Sequence, residues 1–367
     1  MLMDAALSSN RLKRLSISRP QATTLETLLK SLSSSNETSL KEVALSGTTL
    51  DPQHAQKLAT ILAEKSCELQ ELSLKHCTIA DLNFFTEGLF KNQSLKNIDL
   101  FGCRMNDSHL SIILEALCNH PMLHKLDLGR NSIGPNGFRA LSKLLETTAL
   151  QHICLREQHA PLDLKYLTAS ATKGLLDLSY NRLTNLCLLG AWSSLCLRQC
   201  TYCNQKEEIS KLKLPRERLD LSGTTLADAA VIHSSEQLTK DATRLQELCL
   251  YNCRISQGGM LALADKLPHM SSLRVLQVHG QQQYDKSIQD SIVQGLITNF
   301  QLRQLQLSFL SKEIQYWLHF NTLGRQRLLQ QPIHAASWPT ILEQMGTVYN
   351  ASSFVYDLLR EKVLAAR

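Results

Sequence analysis

Leucine and other aliphatic residues recur in one repeating pattern along most of this chain. With varying fidelity, the copies read Leu-x-x-Leu-x-Leu, then two residues, a Cys, Asn or Thr, one further residue and another aliphatic residue. The alternation within Leu-x-Leu places two aliphatic side chains on one side of an extended segment, which is the pattern of a strand with one buried face. Clear copies begin at Leu69, Leu123 and Leu245.

Repeat positions are numbered here from the first residue of each copy. Twelve repeats, counting a degenerate one at Trp192, begin at Leu12, Leu40, Leu69, Leu95, Leu123, Leu150, Lys173, Trp192, Arg216, Leu245, Leu273 and Leu302. The repeats that begin at Leu150, Lys173 and Trp192 are short, and they lie between two blocks of longer repeats. Because one repeat cannot bury its leucines alone, the period predicts that successive repeats stack into a single array.

The second half of each long repeat has the apolar spacing of a helix with one buried face, as at Ala55, Leu58 and Leu62. The preceding Asp51-Pro52 pair offers a capping carboxylate and a proline suited to the first helical turn. Each long repeat therefore predicts a strand, a turn, a helix and a return. Parallel strands would line the concave side of the array, and helices would cover the convex side.

The ninth position of each repeat points inward at the bend after the strand, where backbone groups need hydrogen-bond partners. In the better copies the side chains at this position are Thr48, Cys77, Cys103, Asn131, Asn181, Cys200, Thr224 and Cys253. We therefore expect Cys77, Cys103 and Cys253 to be buried. Their exposure would mean that the repeat positions are shifted by one residue, because such a slip exchanges the two faces of a strand.

The pattern and the helical repeats of about 28 residues resemble the leucine-rich repeat family, in particular the ribonuclease-inhibitor-like subfamily that also occurs in NOD-like receptors. The resemblance covers residues 12–310 and implies an α/β fold, a right-handed curved solenoid or horseshoe. The repeats around Asn181 are similar to the short class with little or no convex helix. We therefore expect short, irregular repeats and a local change of curvature or twist between residues 151 and 219.

The period stops after Leu310, which divides the chain into a repeat domain, residues 1–310, and a helical C-terminal cap or tail, residues 311–367. Ser337-Trp338-Pro339 fits a helix start, and Phe354, Val355, Leu358 and Leu359 form an apolar stripe. The Asn321-x-x-Gly324-Arg325 motif and the later Trp-Pro and Leu-Leu-Arg-Glu-Lys segments resemble a tail that follows leucine-rich repeats in algal and protist proteins. Sealing the last repeat is the expected role, and docking of a partner is the alternative.

The charged residues are dispersed and form no long run of one sign. The 367-residue chain has a formal net charge of +6, yet Lys and Arg are mixed with Asp and Glu throughout. This mixture is typical of a solvated surface and predicts no nucleic-acid partner.

No stretch reaches the roughly 18 apolar residues of a membrane span, and residues 1–14 lack the apolar core of a secretory signal. With eleven Cys taken as reduced thiols, we expect a cytoplasmic protein without membrane contact.

One segment has the spacing of a metal or cluster site. Cys196, Cys200 and Cys203 form a C-x3-C-x2-C run, the spacing that radical S-adenosylmethionine enzymes use to hold an iron–sulfur cluster. A cluster needs three thiolates that converge, whereas the repeat places Cys196 on the exposed strand face and Cys200 in the buried turn. Zinc with Cys187 as a fourth ligand is a further alternative, and incidental or structural thiols are the preferred interpretation.

The sequence contains no positive sign of catalysis. Neither a glycine-rich phosphate loop nor a Ser/His/Asp or Cys/His signature occurs, so we expect no enzyme activity, no cofactor and no metal. The leading hypothesis is a non-catalytic scaffold that binds a protein partner. A regulator similar to the GTPase-activating branch of the family and, less favoured, a metal-cluster enzyme are the alternatives.

In the family, positions three, five, seven and eight face the concave side, and Arg and aromatic side chains at such sites commonly anchor protein partners. The candidate partner-binding residues are Lys75, Asp99, Phe101, Arg130, Arg156, Tyr180, Arg198, Tyr251 and His279. The first repeat begins after about ten residues. The terminal leucines of a solenoid usually need a polar cap. Residues 1–10 as a small cap, upstream residues, or contact with another chain are the three alternatives for covering this edge.

Overall fold

A computed structural model describes residues 12–34, 40–168, 174–186, 192–202, 212–224, 227–240, 244–280, 285–308, 310–322, 325 and 356. The chain forms two compact units, Met1–Pro215 and Arg216–Arg367, which we call the N-terminal and C-terminal units. The predicted division at residue 310 remains a prediction. The first helix after Leu310 lies within the C-terminal unit.

One strand from each of the first eight repeats joins a parallel sheet in the N-terminal unit, and the strands are neighbours in chain order. These strands are β1 (Arg14–Ser18), β2 (Glu42–Ser46), β3 (Glu71–Ser73), β4 (Asn97–Asp99), β5 (Lys125–Asp127), β6 (His152–Cys154), β7 (Leu175–Asp177) and β8 (Ser194–Cys196). Equal repeat positions pair, as Leu72 does with Ile98 and Ile98 with Leu126. The predicted α/β architecture of parallel strands and helices is confirmed.

The long repeats of this unit each continue into a helix. The helices are α1 (Ala22–Ser34), α2 (Pro52–Ala63), α3 (Leu82–Lys91), α4 (Asp107–Ala116) and α5 (Pro135–Thr147). Helix α2 begins where the sequence indicated, because the Asp51 carboxylate accepts a hydrogen bond from the His54 backbone N–H at 2.8 Å. Its apolar stripe is buried, and α2 packs against α3.

Helix α5 is capped by its neighbour, which the sequence did not indicate. Its own N-cap residue, Gly134, has no side chain to offer. Asp107, in the first turn of α4, accepts the backbone N–H groups of Gly134 and Gly137, each at 2.7 Å. In the C-terminal unit, Asp228 accepts the Ser256 N–H at 2.8 Å in the same way. A carboxylate one repeat away therefore supplies the negative charge that a helix N-terminus favours.

The repeats that begin at Leu150, Lys173 and Trp192 replace the helix with short extended segments. Leu162–Asp163, Arg182–Thr184 and Thr201–Tyr202 pair in parallel as a second, three-stranded sheet. In the first of these repeats, Leu164–Tyr166 forms a single 3-10 turn. No α-helix occurs in the described residues 150–202, because these repeats have too few residues for a return through a three-turn helix.

The ninth-position side chains connect successive repeats through hydrogen bonds. Asn131 is fully buried and donates to the carbonyl of Leu100, the sixth-position residue of the preceding repeat, at 2.9 Å. The Cys103 thiol makes the equivalent contact with Leu74 O at 3.0 Å, and the Cys200 thiol does so with Leu178 O at 3.1 Å. Cys77 and Cys253 are also buried and follow the same rule. The expected burial of these cysteines is confirmed.

The repeat pattern read from the sequence did not include one member of this series of ninth-position residues. Gln158 occupies the ninth position of the repeat that begins at Leu150, and its side chain donates to Leu128 O at 2.8 Å. The same amide accepts the Ile133 N–H at 3.0 Å. The longer Gln158 side chain therefore makes the hydrogen bond that Asn makes in other repeats. Gln was not among the residue types, Cys, Asn or Thr, that the sequence pattern assigned to the ninth position.

The C-terminal unit repeats the plan with fewer strands. Its described strands are β9 (Arg218–Asp220), β10 (Glu247–Cys249), β11 (Val275–Gln277) and β12 (Gln304–Gln306). Its described helices are α6 (Ala227–Leu238), α7 (Gln257–Lys266), α8 (Lys286–Thr298) and α9 (Lys312–Thr322). Helix α9 buries Ile314, Trp317, Leu318 and Phe320 beside the last repeat. The expected helices after Ser337 and around Phe354–Leu359 lie outside the described residues.

Arg325 ends the described part of this unit as a buried cation, only 1% exposed. Its guanidinium lies 4.4 Å from the ring centroids of both Phe300 and Trp317. It also donates to the carbonyls of Leu296 and Ile297, at 3.1 and 2.6 Å, in the last turn of α8. A cation at a helix C-terminus satisfies carbonyls that have no partner within the helix.

We expect Asn131→Ala to destabilise the N-terminal unit by about 2–4 kcal/mol, because it leaves Leu100 O and the Met105 N–H buried without partners. Urea unfolding followed by circular dichroism measures the change. The control Asn136→Ala removes an exposed amide and should cost less than about 0.5 kcal/mol. Equal effects of the two variants would contradict the structural role of the ninth position.

We expect Arg325→Met to keep the apolar contact but lose both carbonyl hydrogen bonds, which weakens the end of α8 by about 1–3 kcal/mol. Hydrogen exchange should then be faster at the last-turn amides of α8. Arg303→Met alters an exposed arginine near the same repeat and should leave exchange unchanged. Unchanged protection in Arg325→Met would show that the guanidinium does not hold the helix end.

Candidate functional site

Positions three, five and seven of repeats one to eight form the open face of the N-terminal sheet, opposite the buried leucines at positions four and six. At its N-terminal end this face contains a groove of about 420 Å³. The floor of the groove is made of small side chains at position five, Ser16, Ala44 and Ser73. Charged and amide side chains flank it: Arg14, Glu42, Glu71, Lys75, Asn97, Asp99 and Lys125. The sequence did not identify this groove, because its floor consists of residues without distinctive chemistry.

The flanking groups of the groove hold one another in place. Arg14 forms an ion pair with Glu42 on the adjacent strand. The Asn97 amide donates to Glu71 at 2.6 Å. Lys75 Nζ lies 3.1 Å from Asp99 Oδ2, which joins two of the candidate residues. These contacts orient charged side chains along the groove, at sites where solvent limits the stability that each pair adds.

Aspartates at position five follow one geometry in three described repeats of the N-terminal unit. The Oδ1 atoms of Asp99, Asp127 and Asp177 accept the backbone N–H of the seventh position at 2.9 to 3.1 Å. Their Oδ2 atoms contact a neighbouring strand: Asp99 meets Lys75, Asp127 lies 3.8 Å from Arg156 Nη2, and Asp177 accepts the Cys154 thiol. These carboxylates therefore stabilise the bend and form a negative row along the open face.

Burial raises the pKa of the Asp127 carboxyl, although the Gly129 N–H and Arg156 both favour its charged form. Asp127 is 7% exposed, the least of the three aspartates in this row. It is therefore better suited to holding Arg156 than to contacting a partner directly.

Phe101 and Arg156 meet across the repeat that lies between them. The Arg156 guanidinium carbon is 4.9 Å from the Phe101 ring centroid, and His76 contacts the same ring edge-on at 5.3 Å. The intervening seventh-position residue is Gly129, where an added Cβ would lie 2.7 Å from Phe101 Cδ2 and 3.1 Å from Arg156 Cγ. The missing side chain of Gly129 creates the space for this cation–π contact.

The predicted site residues lie at the expected repeat positions but have different surroundings. Phe101, expected as an exposed anchor, is only 9% exposed because Arg156 and His76 cover it. Arg130, Tyr180 and Arg198 are exposed, and Tyr180 is 50% exposed. In the C-terminal unit, Tyr251 and His279 form a pair with ring centroids 4.4 Å apart.

The eighth position is in the left-handed region in each described repeat that includes it. Its φ is +54° at His76, +53° at Arg130 and +63° at Tyr180, and Gly47 and Gly102 take +67° and +69°. Left-handed backbone turns the chain sharply and favours glycine. The eighth residue therefore lies at the edge where the chain leaves the open face. Glycine recurs at this position, as at Gly47 and Gly102, which is a sequence signal for the turn that the repeat pattern did not include.

The described residues of the cysteine-rich segment do not converge. The Cys196 thiol is half-buried and lies 3.1 Å from Ser179 Oγ, whereas the Cys200 thiol donates into the interior. Burial raises the pKa of Cys200 to about 12, which disfavours the thiolate that a metal requires. Cys187 and Cys203 lie outside the described residues. Within the described ranges, no three or more His, Cys, Asp or Glu side chains are grouped to hold a metal ion.

Among the described helices, none combines the length and apolar content needed to span a membrane.

Comparison with known proteins agrees with the repeat analysis. A family model described as Leucine Rich repeat matches residues 119–142. Pig ribonuclease inhibitor is 26% identical over 245 residues, which cover 65% of this chain and 51% of that protein. Human NACHT, LRR and PYD domains-containing protein 14 is 26% identical over 247 residues, which cover 65% of this chain and 21% of that protein. The chain thus spans about half of the pig protein and a fifth of the human one.

Two solved structures are similar at a coarser level. An internalin from Listeria monocytogenes has a TM-score of 0.46 and 13% identity, and covers 84% of each chain. A TLR13–ssRNA13 complex has a TM-score of 0.44 and 17% identity, and covers 77% of this chain and 41% of that chain.

The parallel strands, the buried leucines and the family match define a leucine-rich repeat protein. Its repeats are homologous to those of ribonuclease inhibitor and of the NACHT, LRR and PYD domains-containing proteins.

We expect Gly129→Ala to destabilise the N-terminal unit by about 1–2 kcal/mol, because the new methyl group displaces Phe101 and Arg156. Urea unfolding measures this change. In a Phe101→Ala background the same substitution should cost much less, since the ring is gone. Gly258→Ala, in α7, where an added Cβ would make only an ordinary contact of 3.5 Å with Ser256 Oγ, should be neutral or slightly stabilising. An unchanged cost in the Phe101→Ala background would refute the steric explanation.

Proposed function

We propose that this leucine-rich repeat protein is a non-catalytic scaffold that binds a protein partner on the open face of its N-terminal unit. The groove floored by Ser16, Ala44 and Ser73 is the observation that carries this proposal. It is the part of the open face where small side chains leave space for a partner's side chains. Its flanks are already oriented by ion pairs and hydrogen bonds.

Preorganisation favours binding, because a partner need not order these flanking side chains on contact. The Arg14–Glu42 and Lys75–Asp99 pairs, and the Asn97–Glu71 hydrogen bond, present both signs of charge within a short distance. Such alternation favours a surface of complementary charge and disfavours mismatched surfaces. A protein partner can supply that mixture.

The relatives support a binding role at the level of the family. The pig relative is by name an inhibitor of ribonuclease, which is itself a protein. On this chain we therefore place the function in surface contacts, and we propose neither a cofactor nor a catalytic residue.

We also propose that the protein works in a reducing compartment such as the cytoplasm. Nine described cysteines are free thiols. Several of them, including Cys77 and Cys103, donate to backbone carbonyls in the core. Free thiols in structural positions are typical of reducing compartments.

Filling the groove tests this function. We expect Ser73→Trp to block a partner sterically and reduce its capture at least about tenfold, because a bulky side chain at the centre excludes close contact. The measurement is affinity capture with quantitative mass spectrometry, using the full chain. Circular dichroism checks that the variant is folded.

Gln56→Trp is the matched control, because it adds the same side chain to the exposed face of α2 in the preceding repeat. The control should retain every protein captured by the wild type. Identical sets of captured proteins from wild type, Ser73→Trp and Gln56→Trp would show that the groove is not the binding site. Phe101 is unsuitable for this test, since its buried ring supports Arg156.

A further inference from the structure

Several arginines that are dispersed in the sequence of the N-terminal unit form one row in its fold. We define the rim as positions seven to ten of repeats one to eight, where the chain leaves the open face. The rim contains seven cationic side chains, Arg19, Lys75, Arg104, Arg130, Arg156, Arg182 and Arg198. Its single carboxylate is Glu157. Seven of the 24 Lys and Arg residues of the N-terminal unit therefore lie along one edge, where they outnumber the carboxylates.

Five successive repeats, from the fourth to the eighth, each contribute one arginine to the rim. Arg104, Arg130, Arg182 and Arg198 are exposed, and Arg156 is half-buried. Within the described part of the chain, Arg104, Arg130 and Arg182 form no ion pair. Since neighbouring strands are 4.7–4.9 Å apart, the row extends over about 20 Å.

The left-handed turn at position eight places these side chains at the edge where the chain leaves the open face. Arg130 itself has φ +53°, and Tyr180 with φ +63° stands between Arg156 and Arg198 in the row. Carboxylates farther along the repeats, such as Asp51 and Asp107, accept helix N-terminal amides and are engaged there. The aspartates on the open face are likewise engaged, since Asp99, Asp127 and Asp177 accept backbone N–H groups, and in the described part of the chain none of them pairs with Arg104, Arg130 or Arg182.

We propose that the arginine rim binds an acidic segment of the protein partner, and this inference rests on the proposed binding function. Arginine presents a planar fork of donors that matches carboxylates in pairs. Carboxylates four residues apart on a helix are about 5–6 Å from one another, close to the spacing of the repeats. An acidic helix face laid along the rim places one carboxylate beside each successive arginine.

The negative row at position five favours a protein over a nucleic acid. Asp99, Asp127 and Asp177 each precede a rim arginine of the same repeat and lie on the adjoining open face. A nucleic-acid backbone is negative along its whole length and is repelled by that row. A protein segment can set carboxylates over the rim and hydrogen-bond donors over the aspartates.

The test uses the full chain and two labelled probes in fluorescence anisotropy at about 50 mM salt, where exposed charges are only partly screened. One probe is a helical peptide with glutamate at every fourth residue, and the other is an oligouridylate of similar charge. We expect the peptide to bind more tightly than the oligouridylate. Replacing Arg104, Arg130 and Arg182 together by Gln should weaken peptide binding at least about tenfold, since each exposed pair contributes roughly a factor of two to five.

The matched control removes three cations elsewhere in the same unit. Lys65→Gln, Lys91→Gln and Lys143→Gln lie on or beside the helices, and together they should change peptide affinity less than about twofold. Equal losses in the two triple variants would overturn the proposal, because the effect would then come from net charge alone. Tighter binding of the oligouridylate, or no peptide binding at all, would also overturn it.

Capture of cellular partners separates this inference from the proposed function. If Ser73→Trp abolishes capture and the rim variant does not, the scaffold function stands and the acidic-segment proposal fails. If the rim variant abolishes capture and Ser73→Trp does not, the rim binds the partner and the assignment to the groove fails. Loss of capture in both variants supports both.

Discussion

Hydrogen bonds from the ninth position of one repeat to the sixth position of the preceding repeat set the spacing on which the rest of the structure depends. The bend after each strand turns backbone carbonyls into the interior, where water cannot satisfy them. Asn131 resolves this for the preceding repeat, because it donates to Leu100 O and accepts the Met105 N–H there. Cys103 and Cys200 do so more weakly through a thiol. Stacking in equal register brings each ninth position beside the bend of the preceding repeat.

Because successive repeats stack in equal register, side chains at the same repeat position line up as a row. Leucines at positions four and six become a continuous core, and aspartates at position five become a negative row. Arginines at positions seven, eight and ten become the rim. Residues far apart in sequence, such as Arg104 and Arg130, are thereby brought to adjacent repeats. The surface chemistry of this protein is thus a property of the stack rather than of any local motif.

The same register gives the turn cysteines a structural role that requires no metal or catalytic function. Cys200 lies in the turn and Cys196 on the strand face, so their thiols have different surroundings. The cysteine spacing resembles a set of metal ligands in the sequence, but the strand and the turn direct the thiols of Cys196 and Cys200 to different sides. Burial raises the pKa of Cys103 to about 12 as well, which keeps it a protonated hydrogen-bond donor at neutral pH.

The sequence by itself determined the strands, their pairing and the burial of Cys77, Cys103 and Cys253, because these follow from a period that each repeat states independently. It also determined the start of α2 at Asp51-Pro52, since capping is local. Contacts between repeats were decided only by the tertiary structure. The meeting of Phe101 with Arg156 depends on the absence of a side chain at Gly129, and the cap of α5 on Asp107 one repeat away. Each requires knowing which side chains lie side by side and how far each one reaches, and a one-dimensional pattern contains neither quantity.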